Sequence, residues 1–396
     1  MTLRVLQGQS GVWCQGAGGT LLLPFAYAVD GRLTEQGRAE VARAGIAEQR
    51  PRSRYSLTVV TATDCNLGCP YCFQNTAPAA PGRFDPPRIP RAVLDDTTIE
   101  RIADFTGGKM RQAGLDRLFV LLFGGEPLLN PAACRALLTR LGRLAPLTAS
   151  MVTNGVLLTP TVARDLGALG LRSAQITLDG PRDLHDGLRT TRAGRGTFDR
   201  ILDNLAAAQR TTDLRFTLRV NTTAEVLPRL PELAAHLAER LDASRCVFDV
   251  APVLNYAGLY DAGIGNTDAE LTAVLRGYAT ALDLGFEVGW PGRGACGFCT
   301  ERDGTTGAVV NADGTLYSCW ETIGKPGYEV GTLDEGYTDY PDHAWVSCSE
   351  FAAGESGSGT ARFADRIAVG LMELLRERRR RTDSAVGTAP EPAGAR

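Results

Sequence analysis

From Tyr55 onward, short apolar runs rich in β-branched residues alternate with longer stretches whose apolar positions recur at helical spacing. The runs predict strands at Leu57–Thr61, Leu118–Phe123, Ala149–Thr153, Ala174–Leu178, Phe216–Asn221 and Val247–Val250. The stretches between them predict helices at Asp96–Gln112, Pro131–Leu141, Pro160–Leu169, Phe198–Gln209 and Leu230–Leu241. Strands each separated from the next by a helix imply a parallel sheet with right-handed crossovers. Such a sheet can curl into a barrel whose chemistry sits at the C-terminal strand ends. The fold class is therefore read as α/β, a partial (β/α)6 TIM-like barrel over residues 52–255.

The flanks differ in pattern. In residues 1–51, Leu3–Leu6 and Thr20–Phe25 alternate like strands and Arg38–Ile46 has helical spacing, which fits a small N-terminal cap or extension. Residues 256–350 are Gly-rich, carry cysteines and read as a second, smaller domain. Residues 351–396 read as a C-terminal helix followed by a tail. From Arg376 the tail (RERRRR, then TDSAVGTAPEPAGAR) is too polar to bury a core and is expected to be disordered. Its arginine run reads as a solvated helix end.

Composition narrows the classes. With 42 basic against 45 acidic residues, neither nucleic acid nor a membrane surface is expected as an obligate partner. MTLRVLQGQS is not a charged leader followed by an apolar stretch, and the apolar run Leu21–Val29 is broken by Pro24 and too short to span a bilayer. A cytoplasmic location is expected. Ten cysteines in a reducing compartment need a reason other than disulfides, and metal binding is the usual one.

The first cysteine group follows the first barrel strand: Thr63-Asp64-Cys65-Asn66-Leu67-Gly68-Cys69-Pro70-Tyr71-Cys72. Three thiolates within eight residues can face one cubane and leave its fourth iron open to a ligand. A zinc knuckle would want a fourth Cys or His nearby, and the histidines are His185, His236 and His343. Further motifs stand at the later strand ends: Phe123-Gly124-Gly125-Glu126-Pro127, Thr153-Asn154-Gly155, and LDGPRDLHDGLR beginning at Leu178. The CxxxCxxC loop with an aromatic before its last cysteine, followed by GGEP about 50 residues on, resembles the radical SAM superfamily. The DGP-H-R stretch resembles that of its peptide and sulfatase maturases. The resemblance implies a [4Fe-4S] cluster on Cys65, Cys69 and Cys72, and S-adenosyl-L-methionine (SAM) held by Tyr71, Gly124, Gly125, Glu126, Asn154, Thr177, Asp179, Arg189 and Asn221. Arg192 or Arg195 can stand in for Arg189, and His185 reads as structural. It also implies the family's reaction, in which a reduced cluster donates an electron to SAM and a 5′-deoxyadenosyl radical removes a substrate hydrogen.

The second cysteine group is Cys296-Gly-Phe-Cys299, then Asp313-Gly-Thr-Leu-Tyr-Ser-Cys319, then Cys348. The Asp-Gly turn leading into a strand that ends in cysteine resembles the SPASM and twitch extensions, as does Gly331-Thr332-Leu333. Four cysteines imply one auxiliary [4Fe-4S] cluster, with tetrahedral zinc the alternative. Cys14, Cys134 and Cys246 stay unassigned, the last two expected to be buried, and Glu321 is a candidate catalytic proton acceptor. By resemblance, the substrate is a ribosomally made precursor peptide that is cross-linked or oxidised, with flavodoxin or ferredoxin as electron donor. The alternatives are a twitch-domain dehydrogenase of a small molecule and a non-enzymatic zinc-binding interaction protein.

Overall fold

All six predicted barrel strands form, each extended by one to three residues at one or both ends. A computed structural model describes residues 3–48, 52–72, 89–253, 260–291, 301–346 and 359–386. Contacts divide the chain into two units: one from residues 1–50, 290–293 and 357–396, the other from 51–289 and 294–356.

The first unit has an antiparallel meander of β1 (Arg4–Gln7), β2 (Val12–Gly16) and β3 (Gly19–Leu23), a short pair β4 (Ala28–Val29) and β5 (Arg32–Leu33), and α1 (Glu35–Arg43). Cys14, Leu23, Leu33, Val41 and Ile46 form its core. The pattern of polar and apolar positions does not reveal β2, because all five of its residues are buried and no alternation survives. A C-terminal helix, Gly359–Val386, seats Met372 against Leu6 and Trp13, and Glu373 accepts from Ser10 and the Trp13 indole. The helix runs through the arginines to Val386, which corrects the expectation of disorder from Arg376. Arginine is a good helix former, and Arg381 pairs one turn back with Glu377 at 2.9 Å. Residues 387–396 lie outside the described residues.

The second unit carries β6 (Tyr55–Ala62), α2 (Asp96–Ala113), β7 (Leu118–Gly124), α3 (Pro131–Leu141), β8 (Leu147–Thr153), α4 (Pro160–Ala168), β9 (Leu171–Leu178), α5 (Arg182–Leu188), α6 (Phe198–Thr211), β10 (Arg215–Thr222), α7 (Leu230–Arg240), β11 (Cys246–Pro252) and α8 (Asp268–Asp283). The helices begin where caps dictate: Asp95, Asn130 and Thr159 each accept from a first-turn amide of α2, α3 and α4. Strands β11-β10-β9-β8-β7-β6 are parallel in that order. Alternate residues such as Ile176, Leu178, Leu218, Val220 and Phe248 are buried on one face. Thr177, Arg219, Asn221 and Asp249, out of phase with these, are half-buried on the other.

The sheet continues beyond β6. β12 (Gly307–Val310) lies parallel beside it, followed by antiparallel β13 (Thr315–Tyr317), β14 (Gly331–Thr332) and β15 (Gly336–Tyr337), ten strands in one sheet. The DGTLYSC segment is thus built onto the barrel sheet itself. No helix among the described residues is long and apolar enough to cross a membrane.

Candidate active site

The strand ends gather the motifs at one edge of the parallel sheet. β6 ends at Ala62, opposite Gly124 at the end of β7, so the cysteine loop and the GGEP turn leave the sheet side by side. Gly124 has φ +147, and a Cβ on it would meet the Ala62 carbonyl oxygen at 2.2 Å. A Cβ on Gly125 would meet the Asp64 carbonyl at 2.4 Å. The close approach these glycines permit is therefore to the backbone that leads into the cysteine loop. Gly125 N and Glu126 N donate to the carbonyls of Ala62 and Asp64 at 3.0 and 2.9 Å.

Glu126 is fully buried. Its Oε1 accepts from Thr153 Oγ1 at 2.7 Å and Leu128 N at 3.0 Å, and its Oε2 from Asn154 N at 2.8 Å. Burial raises its pKa and these donors oppose the rise. The carboxylate thus ties the β7 end to the β8 end. Asn154 passes the link on, donating to Asn66 Oδ1 at 2.7 Å and approaching Cys65 Sγ at 3.8 Å.

Cys65, Cys69 and Cys72 are partly exposed on one loop. Leu67 N points at Cys65 Sγ at 3.4 Å, and Cys72 N closes a turn onto the Cys69 carbonyl at 3.3 Å. Burial pushes the Cys65 and Cys69 thiols up to about 11, Cys69 being offset first by Arg189. Arg192 clamps the loop from outside, donating to Asp64 Oδ1 at 2.5 Å and the Cys65 carbonyl at 2.7 Å.

At the β9 end, Asp179 is fully buried and both its oxygens lie 2.5–2.6 Å from the Tyr71 hydroxyl. Arg189 donates to that hydroxyl at 2.9 Å and stands 3.9 Å from Asp179. Its buried Nε has no hydrogen-bond partner among the described residues. Burial, countered by Arg189 and by the Tyr71 hydrogen bond, leaves the Asp179 carboxyl at about 6. His185 is buried and both its ring nitrogens are hydrogen-bonded. Asp179 N donates to its Nδ1 at 3.2 Å, which puts the proton on Nε2, 3.0 Å from Thr197 Oγ1; Thr197 in turn donates to the Arg189 carbonyl at 2.7 Å. Burial lowers this imidazole to about 3.

The structure brings Tyr71, Asp179 and Arg189 into one group, and Glu126 and Asn154 into another beside Cys65. Thr177 and Asn221 are half-buried on β9 and β10, with no side-chain hydrogen bond to either group among the described residues. Sequence reasoning missed Asn66, Thr153 and Thr197, small polar residues whose roles come only from contacts across strands.

In the second cysteine group, Cys296, Cys299 and Cys348 lie outside the described residues. Cys319 is buried just after β13. Its neighbour Ser318 accepts from Val346 N at 2.8 Å, which draws the chain two residues short of Cys348 toward Cys319. Trp320 stacks on Phe123 at 5.6 Å and donates to Glu321 Oε1 at 3.2 Å. Glu321 Oε2 is buried without a hydrogen-bond partner among the described residues. Glu321 borders a cavity of about 360 Å³ with Lys325, Tyr328, His343 and Trp345. Cys14, Cys134 and Cys246 are buried.

Residues 59–218 match the radical SAM superfamily. The chain carries a radical SAM domain. That domain implies a [4Fe-4S] cluster and SAM, and the residues present suit both: three thiols on one loop with an amide aimed at one sulfur, and an orphaned buried guanidinium nitrogen that can meet a carboxylate. Among the described residues no three His, Cys, Asp or Glu side chains converge on a single ion position, so the fit rests on the donor set.

The chain is 32% identical to mycofactocin maturase MftC of Mycobacterium tuberculosis over 148 residues, 36% of this chain and 32% of that protein. It is 27% identical to the AdoMet-dependent heme synthase of Methanosarcina barkeri over 179 residues, 44% of this chain and 45% of that protein. It thus spans less than half the length of either. The fold is shared with anSMEcpe with bound AdoMet, at TM-score 0.55 and 17% identity over 78% of this chain and 82% of that one. It is shared also with Streptococcus suis SuiB bound to precursor peptide SuiA, at TM-score 0.50 and 15% identity over 87% and 88%.

Proposed function

We propose that this radical SAM enzyme is a maturase of a ribosomally made peptide, which it cross-links or oxidises at a side chain. One observation carries the reading: the β12–β13 segment ending in Cys319 is hydrogen-bonded onto the barrel sheet, and Trp320, stacked on Phe123, sets Glu321 next to the GGEP strand end. Cys319 and the candidate proton acceptor Glu321 thus follow a strand of the same sheet, which supports a reaction that removes a hydrogen and then an electron from its substrate. The likeness to mycofactocin maturase MftC supports it.

When bound, the cluster and SAM supply one-electron chemistry that ends in hydrogen abstraction. The chain's own residues orient and enclose. Cys65, Cys69 and Cys72 hold the cluster, and Asn154 and Leu67 N supply hydrogen bonds to the Cys65 sulfur. Gly124, Gly125 and Glu126 shape the wall beside it. Arg189 takes the carboxylate of SAM, Asp179 and Tyr71 accept or offer hydrogen bonds at its ribose, and Thr177 and Asn221 line the floor. Glu321 serves as acceptor for the proton that leaves the substrate. Cys296, Cys299, Cys319 and Cys348 hold one auxiliary [4Fe-4S] cluster, suited to accept an electron. Flavodoxin or ferredoxin delivers the reducing electron, and the thiol-rich chain works in the cytoplasm.

The test is a mass spectrum after anaerobic incubation with SAM, dithionite and the short peptide encoded beside the gene. Loss of about two mass units per event with 5′-deoxyadenosine formed is the expected result. An unchanged peptide with 5′-deoxyadenosine still formed would overturn it.

A further inference from the structure

Asp179 and Arg189 fix the Tyr71 hydroxyl, and Tyr260 meets the Tyr71 ring from the side, edge to face at 5.7 Å and 66°. Tyr260 is half-buried and follows β11, outside the residues 59–218 that match the radical SAM superfamily. Its place is set from the β9 end. Gly180, next to Asp179, has φ +108, and a Cβ on it would meet Val226 Cγ2 at 3.0 Å, so the loop after β10 sits close against it. Two residues before Val226, Ala224 N donates to the Ala262 carbonyl at 2.8 Å. Ala262 is buried and stands two residues after Tyr260. The contacts therefore close a circuit: from Asp179 and Gly180 to Val226 and Ala224, on to Ala262 and Tyr260, and through Tyr71 back to Asp179. Burial, then the charges of Asp179 and Glu225, raises the Tyr260 phenol, in keeping with that place.

Resting on the reading of Tyr71, Asp179 and Arg189 as residues that hold SAM, we propose that Tyr260 is a positioning residue for SAM. It braces the Tyr71 ring so that the phenol stays against the Asp179 carboxylate and within reach of the Arg189 guanidinium. Tyr71 lies on a loop between Cys69 and Cys72, not on a strand or helix. Hydrogen bonds at its hydroxyl fix the tip of the side chain and leave the ring free to swing about that tip. An edge-to-face neighbour removes the swing, because the ring quadrupoles favour a limited range of tilts. Without the phenol, Asp179 loses its donor and Arg189 is drawn toward the carboxylate that now stands 3.9 Å away, so its guanidinium is presented less well to a bound carboxylate. Tyr260 thus acts on SAM through Tyr71. The brace is the ring, and the Tyr260 hydroxyl has no part in it.

The experiment is equilibrium dialysis of SAM against the full chain, clusters reconstituted, with the variants compared at equal iron content. The set is the parent, Tyr260→Phe, Tyr260→Leu, Tyr71→Leu and the double variant Tyr71→Leu/Tyr260→Leu. Tyr260→Leu is expected to weaken SAM about fivefold, and Tyr260→Phe by less than about twofold. In the Tyr71→Leu background, itself weakened, Tyr260→Leu should cost nothing further, because the ring it braces is gone. A general role in folding would instead weaken SAM by the same factor in both backgrounds. The proposal is overturned if Phe and Leu at position 260 weaken SAM alike, or if the Leu effect persists in full without the Tyr71 ring. Tyr71→Leu weakened with Tyr260→Leu unchanged overturns the proposal alone. Tyr71→Leu binding SAM as tightly as the parent overturns the reading of the SAM site and the proposal together. Where Tyr260→Leu takes up too little iron to compare, Tyr260→Met is read in its place. The assay contains no peptide, so failure of the maturase reading in the mass assay leaves this measurement intact.

Discussion

The hydroxyl of Tyr71 sits against both carboxylate oxygens of Asp179, joining the cysteine loop to the end of β9 across 108 residues of chain. Arg189 reaches the hydroxyl more closely than it reaches the carboxylate, 2.9 against 3.9 Å. The phenol is therefore the hub of the group. It also packs edge-on to Tyr260 at 5.7 Å, a contact that phenylalanine would keep. Tyr71→Phe is expected to leave the packing intact and cost about 1–3 kcal/mol, by removing the donor from a buried carboxylate. Asp179→Asn should cost less, since it also removes a charge that burial disfavours. In a denaturation cycle the two changes should couple by about 1 kcal/mol. Additive effects would show that the hydroxyl and the carboxylate act independently.

His185 makes stability depend on pH with a definite sign. Its folded value is about 3 against an ordinary 6.5, so the neutral imidazole is favoured in the folded chain. That stabilisation is complete above pH 6.5 and is lost as pH falls from 6.5 toward 3, by about 5 kcal/mol at the limit. Asp179 opposes it, because its folded value of about 6 exceeds the ordinary 3.8 and its protonation stabilises the folded chain between those values. The Asp179 contribution is the smaller, about 3 kcal/mol. His185→Gln should cost stability at pH 7.5, and the gap from the parent should shrink steadily below pH 6.5. A gap that stays constant from pH 7.5 to pH 4.5 would contradict the assignment.

Glu126 tests whether the GGEP acid holds the site together. Its Oε2 takes the Asn154 amide, and its Oε1 takes Thr153 and Leu128. In Glu126→Gln one oxygen becomes an NH2 that must face either the Asn154 amide or the donors on the other side. One buried donor then goes unsatisfied, with an expected loss of about 1–3 kcal/mol. Asn154 would shift with it and release Asn66. Equilibrium dialysis with SAM should show weaker binding for Glu126→Gln, and a smaller effect for Thr153→Val, which removes one of the three donors.

How much of this was legible beforehand follows from what each signal depends on. The barrel strands and helices were readable because strands buried on a helix-facing side and capped amphipathic helices leave periodic traces, as at Ile176 and Leu178 or Asp95 and Thr98. The cysteine loop and GGEP were readable as local strings. The reason for the paired glycines was not, since it lies in the Ala62–Asp64 backbone more than 60 positions away. Likewise β12 is four residues of buried GAVV with no alternation, and only its pairing with β6 reveals that the segment ending in Cys319 is built onto the barrel sheet.

The number and kind of metal centres can be decided by paired deletions. Cys65, Cys69 and Cys72 lie on one partly exposed loop, while Cys319 is buried at the end of β13. Cys319 leaves the sheet from a different strand than the cysteine loop, so deleting one group should not empty the other. With two [4Fe-4S] clusters, replacing Cys65, Cys69 and Cys72 by Ala should remove about half of the iron and abolish 5′-deoxyadenosine formation. Replacing Cys296, Cys299, Cys319 and Cys348 by Ala should also remove about half of the iron, while leaving reductive cleavage of SAM measurable. If the second site holds zinc, the four-cysteine variant instead keeps all its iron and its absorbance near 400 nm and loses one zinc. That outcome would take the electron-accepting role away from the second cysteine group. The hydrogen-abstraction chemistry at the first would stand, and the electron left on the substrate would have to go to another acceptor.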